Sequence, residues 1–333
     1  MKLASLFSII VCSAGFGLNS AVVANKKPIK VFILAGQSNM QGHGIVSINP
    51  RRNKGVGSLE YLVKNPKTSS RFKHLVDAKG QWLKRNDTWI WYLERKGKLT
   101  VGYGAKEGLI GPELQFGHVM GDHFDEQVLL IKTAWGGKSV AVDFRSPSSG
   151  KIPYSLGKGF DARLKSDPKI LGSYYRQMLA HIHDVLKNLD KHFPEYNGRG
   201  YEIVGFGWHQ GWNDRVNQSF NDEYEKNLAN FIRDVRKDLG IKNLPFVIAE
   251  TGMSGVKEKH PRALSLMRAQ AAVAHQKMFK GNVAFVGTKA YFRPREVSPS
   301  GQSYHWNQNA ETYFLIGDGM GKAMLKLLKT KRK

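Results

Sequence analysis

The sequence predicts an α/β protein built on a parallel sheet, and three observations carry that prediction. Five short apolar runs recur along the chain at Val31–Ala35, Gln127–Ala134, Tyr201–Trp208, Leu244–Glu250 and Val283–Val286, and such runs suit strands covered on both faces. Amphipathic helical patterns separate them. Tyr175, Met178, Ile182, Val185 and Leu189 mark one apolar stripe, and Tyr224, Leu228, Phe231, Val235 and Leu239 another. Most of the runs end in polar turns that contain glycine, the place where ligands bind in open α/β sheets.

Length and composition bound the rest. At 333 residues and 41% hydrophobic content the chain suits one large domain or two small ones, and no repeat or linker divides the β-α units. Met1–Ala24 carries a lysine, an apolar run from Leu3 to Leu18 and then small residues. That is the pattern of a secretory signal, so residues 25–333 form the expected domain, secreted or periplasmic and without stable membrane insertion. The single cysteine, Cys12, lies inside the signal, which excludes disulfides, thiol catalysis and cysteine-ligated metals from the mature chain. Lys and Arg number 51 against 27 Asp and Glu, a formal charge of +24, and so basic a protein is drawn to polyanions. The basic residues are dispersed and no nucleic-acid-binding signature appears. Acidic polysaccharide or an anionic envelope surface remains as a partner class, beside a plain basic bias of composition.

Taken in order, the first run leads into Gly36-Gln-Ser-Asn-Met-Gln-Gly-His-Gly44, whose glycines permit a sharp turn that exposes Ser38 at the strand's carboxyl end. A serine hydroxyl is a poor nucleophile alone, so this reading requires a base and oxyanion donors elsewhere. Residues 45–108 read as a long insertion without sustained periodicity. Its Trp82, Trp89 and Trp91 either stack on sugar rings or seal a satellite core. A helix over Pro112–Phe124 precedes the second run, which ends in Trp135-Gly136-Gly137-Lys138-Ser139. Paired glycines there leave N–H groups free to face an oxyanion, and the phosphate-loop pattern is absent. The third run ends in His209-Gln-Gly-Trp-Asn-Asp214, where Asn213 or Gln210 can donate a side-chain N–H to developing negative charge. Glu250-Thr251-Gly252 closes the fourth run, and His305 lies in a loop before a final helix capped near Asn309.

Gly36-Gln-Ser-Asn39, Gly136-Gly137, Gly211-Trp-Asn-Asp214 and His305 stand in the order and spacing of the four blocks of the SGNH hydrolase superfamily. The resemblance spans nearly the whole mature chain. Gly36–Met40 and Trp208-His-Gln-Gly211 resemble its branch of sialate O-acetylesterases and acetylxylan esterases of carbohydrate esterase family six. The resemblance implies a three-layer α/β/α sandwich of flavodoxin-like type with a five-stranded parallel sheet. It also implies removal of acetyl from an acetylated carbohydrate through an acyl-serine intermediate, with no cofactor or metal; the net positive charge, separately, points to an anionic substrate or matrix. Carried onto this chain, Ser38 is the nucleophile and His305 the base, and the N–H groups of Ser38 and Gly137 with the amide of Asn213 form the oxyanion hole. Gln37, Asn39, Gln210 and Trp135 are the flanking substrate contacts. At its reference pKa of about 6.5, His305 would lose activity below about pH 6.

Two positions depart from the pattern. Gln302 stands where an aspartate usually precedes the histidine by three residues, and Trp212 replaces the glutamate of the branch's Gln-Gly-Glu. Glu250 is the first candidate for the missing acid, with Glu296 and Asp214 behind it; otherwise His305 acts in a dyad. Two alternatives stand beside esterase action on sugars: a glycan-binding protein that has lost its chemistry, and a lipase or thioesterase on the same scaffold.

Overall fold

The computed structural model describes residues 27–331, so the expected signal over residues 1–24 lies outside the described residues. In chain order the strands are β1 (Ile29–Gly36), β2 (Gly44–Ile45), β3 (Arg85–Tyr92), β4 (Arg95–Leu99), β5 (Leu109–Ile110), β6 (Val128–Ala134), β7 (Tyr201–His209), β8 (Phe246–Ala249) and β9 (Val283–Val286). Seven of them form one sheet in the order β4-β3-β6-β1-β7-β8-β9, parallel except for β4, while β2 and β5 pair as a small antiparallel ribbon.

All five expected strands are present, and the sheet is wider than expected by two. The extra pair, β3 and β4, comes from the stretch read as an irregular insertion, which also holds short helices at Leu59–Lys64 and Ser69–Phe72. Charge hid this hairpin: β3 opens Arg-Asn-Asp and β4 reads Arg-Lys-Gly-Lys-Leu, as befits an edge strand that must not pair further. Trp89 and Trp91 are therefore core residues, with Trp89 stacked on Phe193 at 4.7 Å. Trp82 packs on a satellite cluster with Phe72, Leu75 and Phe314. None of the three is a sugar platform at the strand ends.

The period of two in β1 divides the layers. Val31, Ile33 and Ala35 pack with Tyr175, Met178 and Ile182 of the helix Ser173–Lys187, with Phe231 of Tyr224–Asp238, and with Leu266 of Pro261–His275. Phe32 and Leu34 meet Phe116 and Met120 of Glu113–Gly121 and Met320 and Met324 of Ala310–Lys331. Each of these fully buried side chains contributes roughly 1.5–3 kcal/mol. The result is the three-layer α/β/α sandwich.

One charged pair lies inside it. Lys132, in the middle of β6 and without solvent exposure, donates through Nζ to Glu113 Oε2 at 2.7 Å, Gln41 O at 2.6 Å and Tyr103 O at 2.7 Å. Glu113 Oε1 accepts from Gly111 N at 2.8 Å. Burial lowers the Lys132 ammonium to about 8 and raises the Glu113 carboxyl, and their mutual attraction opposes both shifts. The pair ties β6 to the turn that carries Ser38. Lys132→Met should cost about 3–5 kcal/mol in urea unfolding because it strands a buried carboxylate. The double variant with Glu113→Gln should recover part of that loss.

Candidate active site

Strand register sets the site. Gly36 of β1 is level with Ala134 of β6 and His209 of β7, so the next residues of three chain segments leave the sheet side by side. Gly36 has φ +153, and a Cβ there would lie 2.2 Å from His209 O; only glycine lets β1 turn this close to β7. Ser38, half-buried, then opens the helical turn Ser38–Gln41. Its N–H stands where no carbonyl of the same helix can reach it.

The residues on either side of Ser38 brace the other two loops. Gln37 Oε1 accepts from Gly211 N at 3.0 Å and Asn213 N at 3.3 Å. Asn39 Nδ2 donates to Tyr304 O at 3.0 Å, and Asn39 Oδ1 accepts from Tyr313 OH at 2.8 Å, which in turn lies 3.3 Å from His305 O. Gln37 and Asn39 are 2% and 3% exposed, and Gln210 is 1% exposed with its amide on Lys138 O and Asp214. This corrects the reading of Asn39 and Gln210 as substrate contacts, since both amide atoms of each are occupied within the protein, whereas Gln37 is engaged only through Oε1. Trp135, partly buried against Tyr174 and Phe144, keeps a place at the rim.

Gly137 and Asn213, expected from the sequence as oxyanion donors, are brought together. Gly137 has φ +68, the left-handed region that suits glycine, and its carbonyl accepts from Asn213 Nδ2. The second N–H of that amide is left to face a ligand. Asp214, fully buried, accepts from Val140 N at 2.9 Å, Ala141 N at 2.9 Å and Gln210 Nε2 at 2.5 Å, and so fastens the Gly137 loop to the Asn213 turn. Burial raises its carboxyl to about 7 against the lowering by these hydrogen bonds.

His305 reaches this edge from a strained turn. Trp306, Asn307 and Gln308 all have positive φ, at 53, 53 and 57, a conformation that costs roughly 1–2 kcal/mol per residue. Burial of Trp306 and the bonds Asn307 Nδ2 to Arg293 O, 3.0 Å, and Arg52 Nη1 to Gln308 Oε1, 3.1 Å, hold it. Asn309 caps the final helix as expected, accepting from Glu311 N at 3.0 Å.

Among the described residues, none gives His305 an acid. Its Nδ1 is buried without a hydrogen-bond partner. Glu250 Oε2 instead accepts from Thr288 N at 2.8 Å and Lys289 N at 3.3 Å, joining the ends of β8 and β9, so the role assigned to Glu250 is corrected. Asp214 faces backbone amides, Glu296 is exposed on another turn, and the exposed Gln302 meets His305 only through its backbone carbonyl. What touches the imidazole are rings: His43, stacked at 3.7 Å and 8°, and Tyr304, tilted at 4.5 Å and 60°. Burial lowers His305 to about 4. Sequence reasoning missed His43, although it stands in the Ser38 motif, and the rim formed by Trp212 and the exposed Tyr304, 5.7 Å apart. Aromatics beside the motif residues were the available signal.

A parallel sheet with these four blocks along one edge is the architecture of an SGNH-type esterase. The family model described as carbohydrate esterase, sialic acid-specific acetylesterase, matches residues 28–326, and the chain belongs to that family. No match was found among curated proteins. Among solved structures, a protein from Arabidopsis thaliana is similar over 90% of this chain and 98% of its own, at 17% identity and a TM-score of 0.53. NanS is similar over 91% and 99%, at 14% identity and a TM-score of 0.53. A structure titled a novel carbohydrate acetylesterase from Xanthomonas citri is similar over 88% of this chain and 55% of its own, at 14% identity and a TM-score of 0.48. At these identities the likeness is one of fold, and membership of the family supports carbohydrate esterase activity.

The braces beside Ser38 yield a test. Asn39→Ala leaves Tyr304 O and Tyr313 OH without their partner and should destabilise the protein by about 1–3 kcal/mol in thermal unfolding. If the brace sets the geometry of Ser38 and His305, turnover by the folded variant should drop by at least tenfold.

Proposed function

We propose that the chain is an exported carbohydrate O-acetylesterase acting through an acetyl-Ser38 intermediate. The observation that carries the reading is the double brace, in which the two neighbours of Ser38 hold the Asn213 turn on one side and the His305 loop on the other. His305 takes the Ser38 proton as Oγ attacks the acetyl carbonyl, then returns it to the departing sugar alkoxide; water repeats the sequence on the acyl-serine. The N–H groups of Ser38 and Gly137 and the Asn213 amide receive the oxyanion, each donor being worth about 3 kcal/mol. Trp135, Trp212 and Tyr304 give the sugar flat apolar faces at the rim. Export rests on the signal-like pattern of residues 1–24.

Charge supports an anionic substrate or matrix. Exposed Arg51, Arg52 and Arg295 line a cavity of about 560 Å³ with Ser298 and Ser300, directly before the loop that carries His305. A carboxylate or sulfate on the sugar chain fits guanidinium groups there.

One observation favours a second reading, a glycan-binding protein without chemistry: His305 Nδ1 meets no carboxylate. Acetate release decides between them. The mature protein should deacetylate acetylated sugars and a chromogenic acetate, and Ser38→Ala should abolish both. A serine-directed organophosphonate should label Ser38 stoichiometrically. An unlabelled serine with no acetate released would leave the binding reading in place.

The pH dependence follows from burial. His305 must be neutral to accept the proton, and its value of about 4 keeps it so as pH falls from 7 to 5. The acid limb of kcat/KM should therefore lie near pH 4, below the limb near 6.5 of an unperturbed imidazole.

Salt separates the charge argument from the chemistry. Retention on an acidic polysaccharide should weaken steeply above about 0.15 M salt, where screening acts over roughly 8 Å. Turnover of a small neutral acetate should scarcely change. Equal responses would mean that the charge says nothing of the substrate.

A further inference from the structure

The proposed chemistry needs an imidazole held in one plane and able to carry a transient positive charge, two tasks that a carboxylate at Nδ1 performs in serine hydrolases of this type. Neither task has a carboxylate here. His305 Nδ1 is buried and unpartnered, and Glu250, Asp214, Glu296 and Gln302 are all directed elsewhere. The contact of closest fit is on the face of the ring. His43 lies parallel to His305, with centroids 3.7 Å apart and planes 8° apart, and its Nε2 is likewise buried and unpartnered. His43 belongs to the Ser38 motif, between Gly42 and Gly44, so the element that presents the nucleophile also presents a flat wall to the base.

We propose that His43 is the positioning residue of His305, with its neutral ring replacing the acid by stacking. A parallel aromatic neighbour removes the freedom of the imidazole to rotate about its Cβ–Cγ bond and so takes over the orienting task of the acid; the same ring excludes water and leaves His305 a weak base that holds the Ser38 proton only in passing. For this the His43 ring must itself stay uncharged. The groups around the pair enforce that: Lys132 from β6, Lys106 from the loop before β5 and His305 all oppose a charge on His43, which burial already disfavours. Tyr304 from the His305 turn covers the imidazole at 4.5 Å, Tyr313 from the final helix meets the His305 carbonyl through its hydroxyl, and the Glu113 carboxylate is paired with Lys132.

The inference rests on the esterase reading, and the test keeps the two apart. Wild type, His43→Ala, His43→Gln and His43→Phe are compared by turnover of a chromogenic acetate and, independently, by NMR titration of the His305 ring. His43→Ala and His43→Gln remove the aromatic face; both should lower kcat by about tenfold with KM nearly unchanged. Without the covering ring, His305 gains water and its pKa should rise from about 4 toward the unperturbed value of about 6.5, moving the acid limb with it. His43→Phe restores the face without a titrating nitrogen, and should recover kcat to within about threefold and return the pKa to the wild-type value. Should His43→Ala fail to fold, His43→Gln and His43→Phe give the same comparison. Equal rates and equal His305 titrations across the series would overturn the proposal, as would a His43→Phe variant as impaired as His43→Gln. A wild type without esterase activity would sink the functional reading instead, and the His305 titrations would still decide the role of His43.

Discussion

The site depends on two buried side-chain amides, Gln37 and Asn39. They point to opposite sides of the turn they share with Ser38, and each takes hold of a loop far away in sequence: Gln37 the start of the Gly211–Asn213 segment, Asn39 the carbonyl of Tyr304. Neither contact is worth much as a net contribution to stability, since a protein hydrogen bond replaces one to water. Their consequence is geometric. Three loops that leave the sheet at one level by strand register are given fixed positions relative to one hydroxyl. Preorganisation of this kind is what catalysis by oriented groups demands.

The same logic explains where charge is found. Three charged groups beneath the site are compensated within the protein: Lys132 by Glu113 and two carbonyls, Asp214 by two backbone amides and Gln210, Glu250 by the amides of Thr288 and Lys289. Uncompensated charge is moved outward, to the arginines beside the His305 loop. A low-dielectric floor would strengthen the pull of the proposed oxyanion donors, whereas an unpaired carboxylate in that floor would oppose the negative charge that the proposed reaction creates.

Much of this was legible in the sequence, for identifiable reasons. Apolar runs ending in glycine-bearing turns located β1, β6, β7, β8 and β9, and the order of the turns placed Ser38, Gly137 and Asn213 along one edge, because parallel strands deliver their carboxyl ends to the same side. The β3–β4 hairpin was hidden because an edge strand faces solvent and carries Arg and Lys where a core strand carries Val and Ile. The roles of Asn39 and Gln210 were misread because a polar residue in a motif looks the same whether it faces a ligand or a group of the protein. Burial alone distinguishes the two, and burial follows from packing between segments more than 170 residues apart. The acid could not be found by spacing, since Glu250 has the strand-end position of a catalytic residue but lies beyond β7, directly after β8, where the turn that follows β9 claims its carboxylate.

The two departures from the family pattern have one structural sense. A glutamate in place of Trp212 would bring a charge to the Asn213 turn, and an aspartate in place of Gln302 would bring one to the edge of His305. Here both positions lack a carboxylate, and aromatic faces lie between them: Arg215 over Trp212 at 4.5 Å, Trp212 against Tyr304 at 5.7 Å, Tyr304 against His305 at 4.5 Å, and His305 on His43 at 3.7 Å. Rings in a row hold one another by area and by quadrupole, and impose planes where carboxylates impose directions. An imidazole so enclosed loses the solvation that favours its charged form, which is why its pKa falls when a neighbouring carboxylate would have raised it. With neither carboxylate present, the proposed base sits in a row of rings, of which His43 alone lies parallel to it.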